Sequence, residues 1–193
     1  MKRGVLEFLY LCKCKLFTML FYPNARLIRL PIDFRGKKGI NIGKRFTTGY
    51  HCRLESFSDN GTKSLIIGDD VQINDFVHIN AVDCVKIGNN VLIASKVFIT
   101  DLAHGSYRGD DNDSSPEEIV INRKLSSKSV EIGDNVWIGE LVSILPGVQI
   151  GKNCIIGANS VVTKSIPDNC IAVGNPAKII KKYNFETKHW EKI

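Results

Sequence analysis

Six aliphatic side chains recur at every sixth position near the C-terminus: Ile132, Ile138, Ile144, Ile150, Ile156 and Val162. A helix repeats its apolar face every 3.6 residues and a strand every 2, so neither produces a spacing of six. A fixed period marks a repeat architecture, and six-residue units point to a parallel β-helix. Gly133, Gly139, Gly151 and Gly157 follow the aliphatic residue in four of these units. Val136, Val142 and Val148 return four positions after it, and Cys154 takes the same place in the next unit.

The same register appears earlier and is broken twice. Ile67, Ile73 and Ile79 carry one run, and Ile87, Ile93 and Ile99 the next, with Val71, Val77, Val91 and Val97 at the fifth positions. The step from Ile79 to Ile87 is eight residues, so two residues are predicted to be extruded at a corner near Asp83 and Cys84. A weaker start lies at Ile40-Asn-Ile-Gly43, followed by a polar stretch from Ser56 to Ser64 that reads as a loop.

The 193 residues suit one domain with a sizeable core. The formal net charge of +6 favours an anionic partner, either a membrane surface or a phosphorylated ligand. No zinc finger, RNA-binding aromatic motif or basic heptad helix is present, which argues against nucleic acid. The six cysteines form no C-x-x-C pair and no Cys/His set with zinc spacing, so no metal site is expected; they read as reduced thiols of a cytosolic protein.

Residues 1–31 differ in character. Val5 to Tyr22 is rich in Leu and Phe, but Glu7, Lys13 and Lys15 interrupt it, which disfavours a spanning helix, and no signal-peptide pattern is evident. Phe8, Leu9, Cys12, Leu16, Met19 and Leu20 fall on one helical face. Our expectation is a cap over the open end of the β-helix, because solenoid ends need covering. The alternative is a helix lying on an anionic membrane surface. The expected organisation is therefore a cap over 1–31, a β-helix over 32–175 and a short tail over 176–193.

Residues 105–129 lose the hexad pattern and are predicted to project as a loop, the kind of insertion that carries function on a rigid scaffold. His104 stands where the coil ends and this loop begins. Of the four histidines it is the one best placed for chemistry, although a lone histidine is more often structural.

From about Ile66 to Lys181 the chain resembles the hexapeptide-repeat acyltransferases, in the galactoside/maltose O-acetyltransferase-like branch. The resemblance is carried by Ile132-Gly-Asp-Asn-Val-Trp-Ile-Gly139, Gly157-Ala-Asn-Ser-Val-Val-Thr-Lys164 and Gly174-Asn-Pro-Ala-Lys-Ile-Ile180. The segment Ile99-Thr-Asp-Leu-Ala-His-Gly-Ser-Tyr107 looks like the catalytic segment of the polysaccharide and lipopolysaccharide O-acetyltransferases. This resemblance implies a left-handed, triangular, all-β prism that assembles as a homotrimer with active sites between neighbours. It implies acetyl-CoA as acyl donor and His104 as general base. Many relatives carry a second histidine two residues earlier, where this chain has Leu102, so any role of that group is missing here.

The resemblance also implies Asn74, Glu140 and the coenzyme positions, while Asp101, Tyr107 and Trp137 are read from their place in the chain. Asn74 matches the asparagine near acceptor and base, although Asn is equally at home as a corner residue. Asp101 and Tyr107 flank His104 and could orient it or bind sugar. Trp137 could pack on the pantetheine arm. A backbone N–H at Glu140 would meet the oxyanion. Ala158, Thr163, Lys164, Lys178 and Lys181 match the coenzyme positions, with Lys where relatives often carry Arg at the last two.

The function expected is transfer of an acetyl group from acetyl-CoA to a sugar hydroxyl in surface polysaccharide or lipopolysaccharide assembly. The acceptor could be lipid-linked and the protein cytoplasmic, or peripheral on the inner membrane face. The alternatives are O-acetylation of a free sugar or antibiotic, metal-dependent chemistry of the γ-carbonic-anhydrase kind, and a non-catalytic β-helix. Three histidines converging on zinc would be needed for the metal-dependent reading, and the four present are not closely spaced.

Overall fold

In the computed structural model, residues 4–58 and 62–193 are described; residues 1–3, and 59–61 within the polar 56–64 stretch, lie outside them. Parallel strands stack into the three faces of a left-handed β-helix. One face, called A here, carries strands Thr47–Thr48, Gln72–Ile73, Leu92–Ile93, Trp137–Ile138, Ile155–Ile156 and Cys170–Val173. Face B carries Ile32–Arg35, Cys52–Ser56, His78–Ala81, Phe98–Thr100, Ser143–Ile144 and Val161–Val162. Face C carries Ile40–Ile42, Leu65–Ile67, Val85–Ile87, Val130–Ile132 and Gln149–Ile150, and Ile166 adds a bridge beside Ile150.

The sixfold spacing works because one hexad fills one face and the corner after it. The register stacks Ile73, Ile93, Ile138 and Ile156 on face A, and Leu54, Ile79, Ile99, Ile144 and Val162 on face B. All nine of these side chains are fully buried. Each gains roughly 1.5–3 kcal/mol from leaving water. The prism is thus held by ladders of like residues that join into one continuous core.

Corners need a residue in the left-handed region of backbone space. Asn90, Asn135, Asn153 and Asn169 take it at the corner from C to A, where a short polar side chain tolerates it. At the corner from A to B it falls to His51, Phe76, Lys96, Leu141 and Asn159. Gly139 is required for a different reason. A Cβ there would stand 2.6 Å from the Ala158 nitrogen of the next coil, so only hydrogen fits.

The regular coil starts earlier than the clean hexads. Ile28, Phe46, Thr48, Cys52 and Leu54 fill inward positions, and Leu27 bridges to Thr47. Aromatic, Cys and Thr side chains here replace the Ile and Val that make the later repeats legible. Cys14, Cys52, Cys154 and Cys170 are buried and unbridged, Cys84 is half-buried and Cys12 is exposed.

The segment read as a tail is structured. Strands Lys178–Asn184 and His189–Lys192 form an antiparallel hairpin that extends face A past its last parallel strand. At the other end, the helix Val5–Phe21, called α1, packs through Cys14 and Thr18. The Thr18 hydroxyl accepts the Ile28 N–H at 2.8 Å, and the Tyr10 hydroxyl donates to the Leu30 carbonyl at 2.6 Å. The apolar face expected to cover the first coil points outward instead, because this narrower, partly polar stripe makes the contact.

Candidate active site

The long insertion leaves the prism at the corner from B to C. Strand Leu102–His104 pairs antiparallel with Leu125–Ser127, opposing His104 to Leu125, so the projecting loop is the far end of a β-hairpin. Asp101 anchors its base. Its fully buried carboxylate accepts the backbone N–H groups of Val82, Asp83 and Cys84 at 2.8–3.1 Å. Those three residues are the bulge that makes the Ile79–Ile87 step eight residues long, so one carboxylate fixes both irregularities. Burial pushes the Asp101 carboxyl above its usual value, against the pull of these donors. This places Asp101 in the frame of the site.

His104 is exposed on the hairpin. Its main-chain carbonyl accepts the Tyr107 hydroxyl at 2.6 Å, and that oxygen in turn accepts Arg123 Nη1 at 2.8 Å. Arg123 Nη2 reaches the carbonyls of Pro116 and Glu118, tying the loop together. Nothing in the sequence singles Arg123 out; its role depends on a loop path that has no period.

Asn74 lies on a different edge. It follows the face A strand Gln72–Ile73 at the corner from A to B, is half-buried, and its Oδ1 accepts Gln72 Nε2 at 3.3 Å. Glu140 and Ala158 occupy the same corner on later coils, both exposed. Among the described intercoil hydrogen bonds, the neighbouring Gly139 N–H donates to the Ile156 carbonyl and the Asn159 N–H to the Glu140 carbonyl. None of them uses the Glu140 N–H as donor. Thr163 and Lys164 are exposed at the corner from B to C, the edge that bears His104. The predicted residues therefore divide between two edges of one prism: Asn74, Glu140 and Ala158 on one, His104, Tyr107, Thr163 and Lys164 on the other.

Trp137 is 51% exposed on face A. The register runs an outward column from Leu92 through Trp137, Ile155 and Ile171 to Lys181 and Lys192. Three strand spacings separate Trp137 from Lys181, roughly 14 Å. Lys178 joins the same side because of a bulge. The pairing shifts between Ile171 and Ala172, so Lys178 opposes Val173 and Lys181 opposes Ile171, both outward. Without that irregularity, residues three apart on a strand would face opposite ways.

Among the described residues, no three His, Cys, Asp or Glu side chains cluster as metal ligands would. His51 stacks on Phe76 with centroids 5.0 Å apart. His78 Nε2 lies 2.8 Å from Glu55 Oε2, and His189 belongs to the terminal hairpin.

Comparison with known proteins is consistent with this geometry. A family model described as bacterial transferase hexapeptide (six repeats) matches residues 129–164. The chain is 49% identical over 189 residues to the "Putative lipopolysaccharide biosynthesis O-acetyl transferase WbbJ" of Escherichia coli K12, covering 98% of this chain and 95% of that protein. It is 42% identical over 160 residues to the galactoside O-acetyltransferase of the same organism, covering 83% of this chain and 62% of that protein. A galactoside acetyltransferase solved in complex with coenzyme A superposes with a TM-score of 0.51 at 29% identity, over 84% of this chain and 71% of that one. The N-acyltransferase AntD of Bacillus cereus shares the fold, with a TM-score of 0.69 at 22% identity, over 85% of this chain and 83% of that one. With the repeat, the prism and near-complete coverage at 49% identity in agreement, the chain belongs to the hexapeptide-repeat acetyltransferase family.

Proposed function

We propose that the protein transfers the acetyl group of acetyl-CoA to a sugar hydroxyl of a surface glycan, at a site shared by two copies of the chain in a trimer. The observation that carries this reading is the division of the candidate residues between two prism edges. Around a threefold axis parallel to the prism, one edge of each copy meets the other edge of its neighbour. His104 of one copy then faces Asn74 and Glu140 of the next, and these lie one coil before and one coil after the His104 coil. Phe76 and Leu141, exposed on the Asn74 edge, supply apolar surface for such a contact.

In this arrangement neutral imidazole takes the proton from the acceptor hydroxyl as its oxygen attacks the thioester carbonyl. The Glu140 N–H meets the developing oxyanion. Collapse of the tetrahedral intermediate expels the coenzyme thiolate, which takes the proton back from the imidazolium. Trp137 and its column give the pantetheine arm an apolar lane, and Lys164, Lys178 and Lys181 meet the phosphates. Ala158 keeps the lane free of bulk. The acceptor class follows the lipopolysaccharide relative, and a protein working on such a glycan acts at the inner face of the cell membrane.

Mixed trimers test the reading. His104→Ala should lose at least about a hundredfold in kcat, as loss of a general base does, and Asn74→Ala should be strongly impaired through loss of the acceptor-positioning amide on the opposite edge. Co-refolded, the two should recover a substantial fraction of activity, because some interfaces then pair two intact edges. An active His104→Ala protein removes the base role; two inactive variants that do not complement remove the shared site.

A further inference from the structure

The outward side of α1 is organised in a way that folding does not require. The helix is held by Tyr10, Cys14, Phe17 and Thr18, which share one face at 3.6 residues per turn. On the same helical wheel, the opposite face runs Phe8, Met19, Cys12, Val5, Leu16, Leu9 and Leu20, an unbroken apolar band. Lys15, whose ammonium also donates to the Arg26 carbonyl at 3.0 Å, borders this band on one side and Lys13 on the other. Glu7, the only acid of the helix, lies on the inner side. Phe8, Leu9, Leu16, Met19 and Leu20 are all more than half exposed. A water-facing helix ordinarily shows the reverse pattern, with its apolar stripe inward.

We infer that this outer face docks α1 in the plane of an anionic lipid surface. An apolar band flanked by lysines matches a bilayer boundary, with side chains among acyl chains and ammonium groups among phosphates. A second copy of the same face would bring the flanking lysines of the two helices together, with no outward acid to pair them. The helix has 17 residues, and no described helix is long and apolar enough to cross a membrane, so it lies along the surface. The same helix closes one side of a cleft of about 300 Å³ whose lining includes Tyr10, Arg29 and Asn74 together with the acids Glu7 and Asp75. On the proposed sugar-transfer reading, docking places this cleft on the protein side of α1, one helix away from a glycan carried on lipid.

Flotation of the full-length protein with vesicles tests the docking independently of any acetylation. Wild type should float with phosphatidylcholine vesicles containing phosphatidylglycerol, less with phosphatidylcholine alone, and less as salt is raised. The double substitution Leu9→Asp and Leu16→Asp should weaken flotation at least about tenfold, since each loses apolar burial in the bilayer. Its Tm and sedimentation mass should match wild type, because both positions lie off the packed face. Failure of wild type to float, or equal flotation of the variant, overturns the inference. So does a fall in sedimentation mass in the variant, which would identify a second copy as the occupant.

Discussion

The Tyr107 hydroxyl donates to the main-chain carbonyl of His104, three residues before it, and closes the first turn of the projecting loop. The same oxygen receives Arg123 from the returning strand side of that loop, so one phenol links both limbs to the histidine. The bond fixes the backbone of His104 and leaves its ring exposed. Tyr107→Phe should lower kcat about three- to tenfold, equivalent to roughly 1 kcal/mol for the lost hydrogen bond. KM for acetyl-CoA and Tm should stay near wild type. Steady-state kinetics with varied acetyl-CoA would check this; a rise in KM alone would assign Tyr107 to binding.

Asp101→Asn should destabilise the fold by roughly 1–3 kcal/mol, because an amide cannot accept three N–H groups as a carboxylate does. For a chain of this size that is a fall in Tm of roughly 2–4 °C per kcal/mol. Amide hydrogen exchange should quicken first at Val82, Asp83 and Cys84. An unchanged melting curve would deny Asp101 its anchoring role.

Acid stability should depend on Glu55. Burial works to raise its carboxyl, but hydrogen bonds from Arg53 and His78 outweigh burial and hold it below the usual glutamate value. Arg35 adds an ion pair at 3.2 Å. A depressed folded value means the native state holds on to the charged form. The resulting stability is present above the unfolded value, about 4.3, and is lost as pH falls through the folded one. Tm of wild type should therefore drop steeply below that pH. Glu55→Gln should start lower at neutral pH and lose that part of the slope. Parallel slopes for the two proteins would exclude Glu55 as the source.

Lys178→Ala and Lys181→Ala should each raise KM for acetyl-CoA about fivefold with little change in kcat, since phosphate contacts hold substrate and transition state alike. The salt dependence of KM should weaken in both. Because the bulge sets the two ammonium groups on one side, the double variant should be worse than either single one. Wild-type titrations in both would make them ordinary surface charges.

The sequence reveals the coils wherever the inward residues are Ile and Val. Ile67 to Ile99 and Ile132 to Val162 stack in the register that their spacing implies. The first coils are less legible because Phe46, Thr48 and Cys52 fill the same inward volume without a chemical period. For the site, a linear spacing of six places every residue on a face or corner, which separates the Asn74 edge from the His104 edge once the three faces are assigned. What spacing cannot supply is contact across an irregularity. The Asp101 grip on Val82–Cys84, the Arg123–Tyr107 link and the bulge that turns Lys178 toward Lys181 all arise where the repeat breaks. The direction of α1 escapes the pattern for a related reason: its widest apolar face is not the face that packs.

The terminal hairpin has a consequence for how copies of the chain can associate. A stack of parallel strands is open-ended, and a bare last coil would accept another molecule's first coil and continue as a filament. Here the strand Lys178–Asn184 runs against the stack, and the outermost strand carries His189, Glu191 and Lys192. The outermost strand runs with the stack again, but an incoming coil meets these polar and charged side chains rather than a bare hexad. Face A thus ends in polar and charged side chains rather than in the apolar ladder that joins one coil to the next.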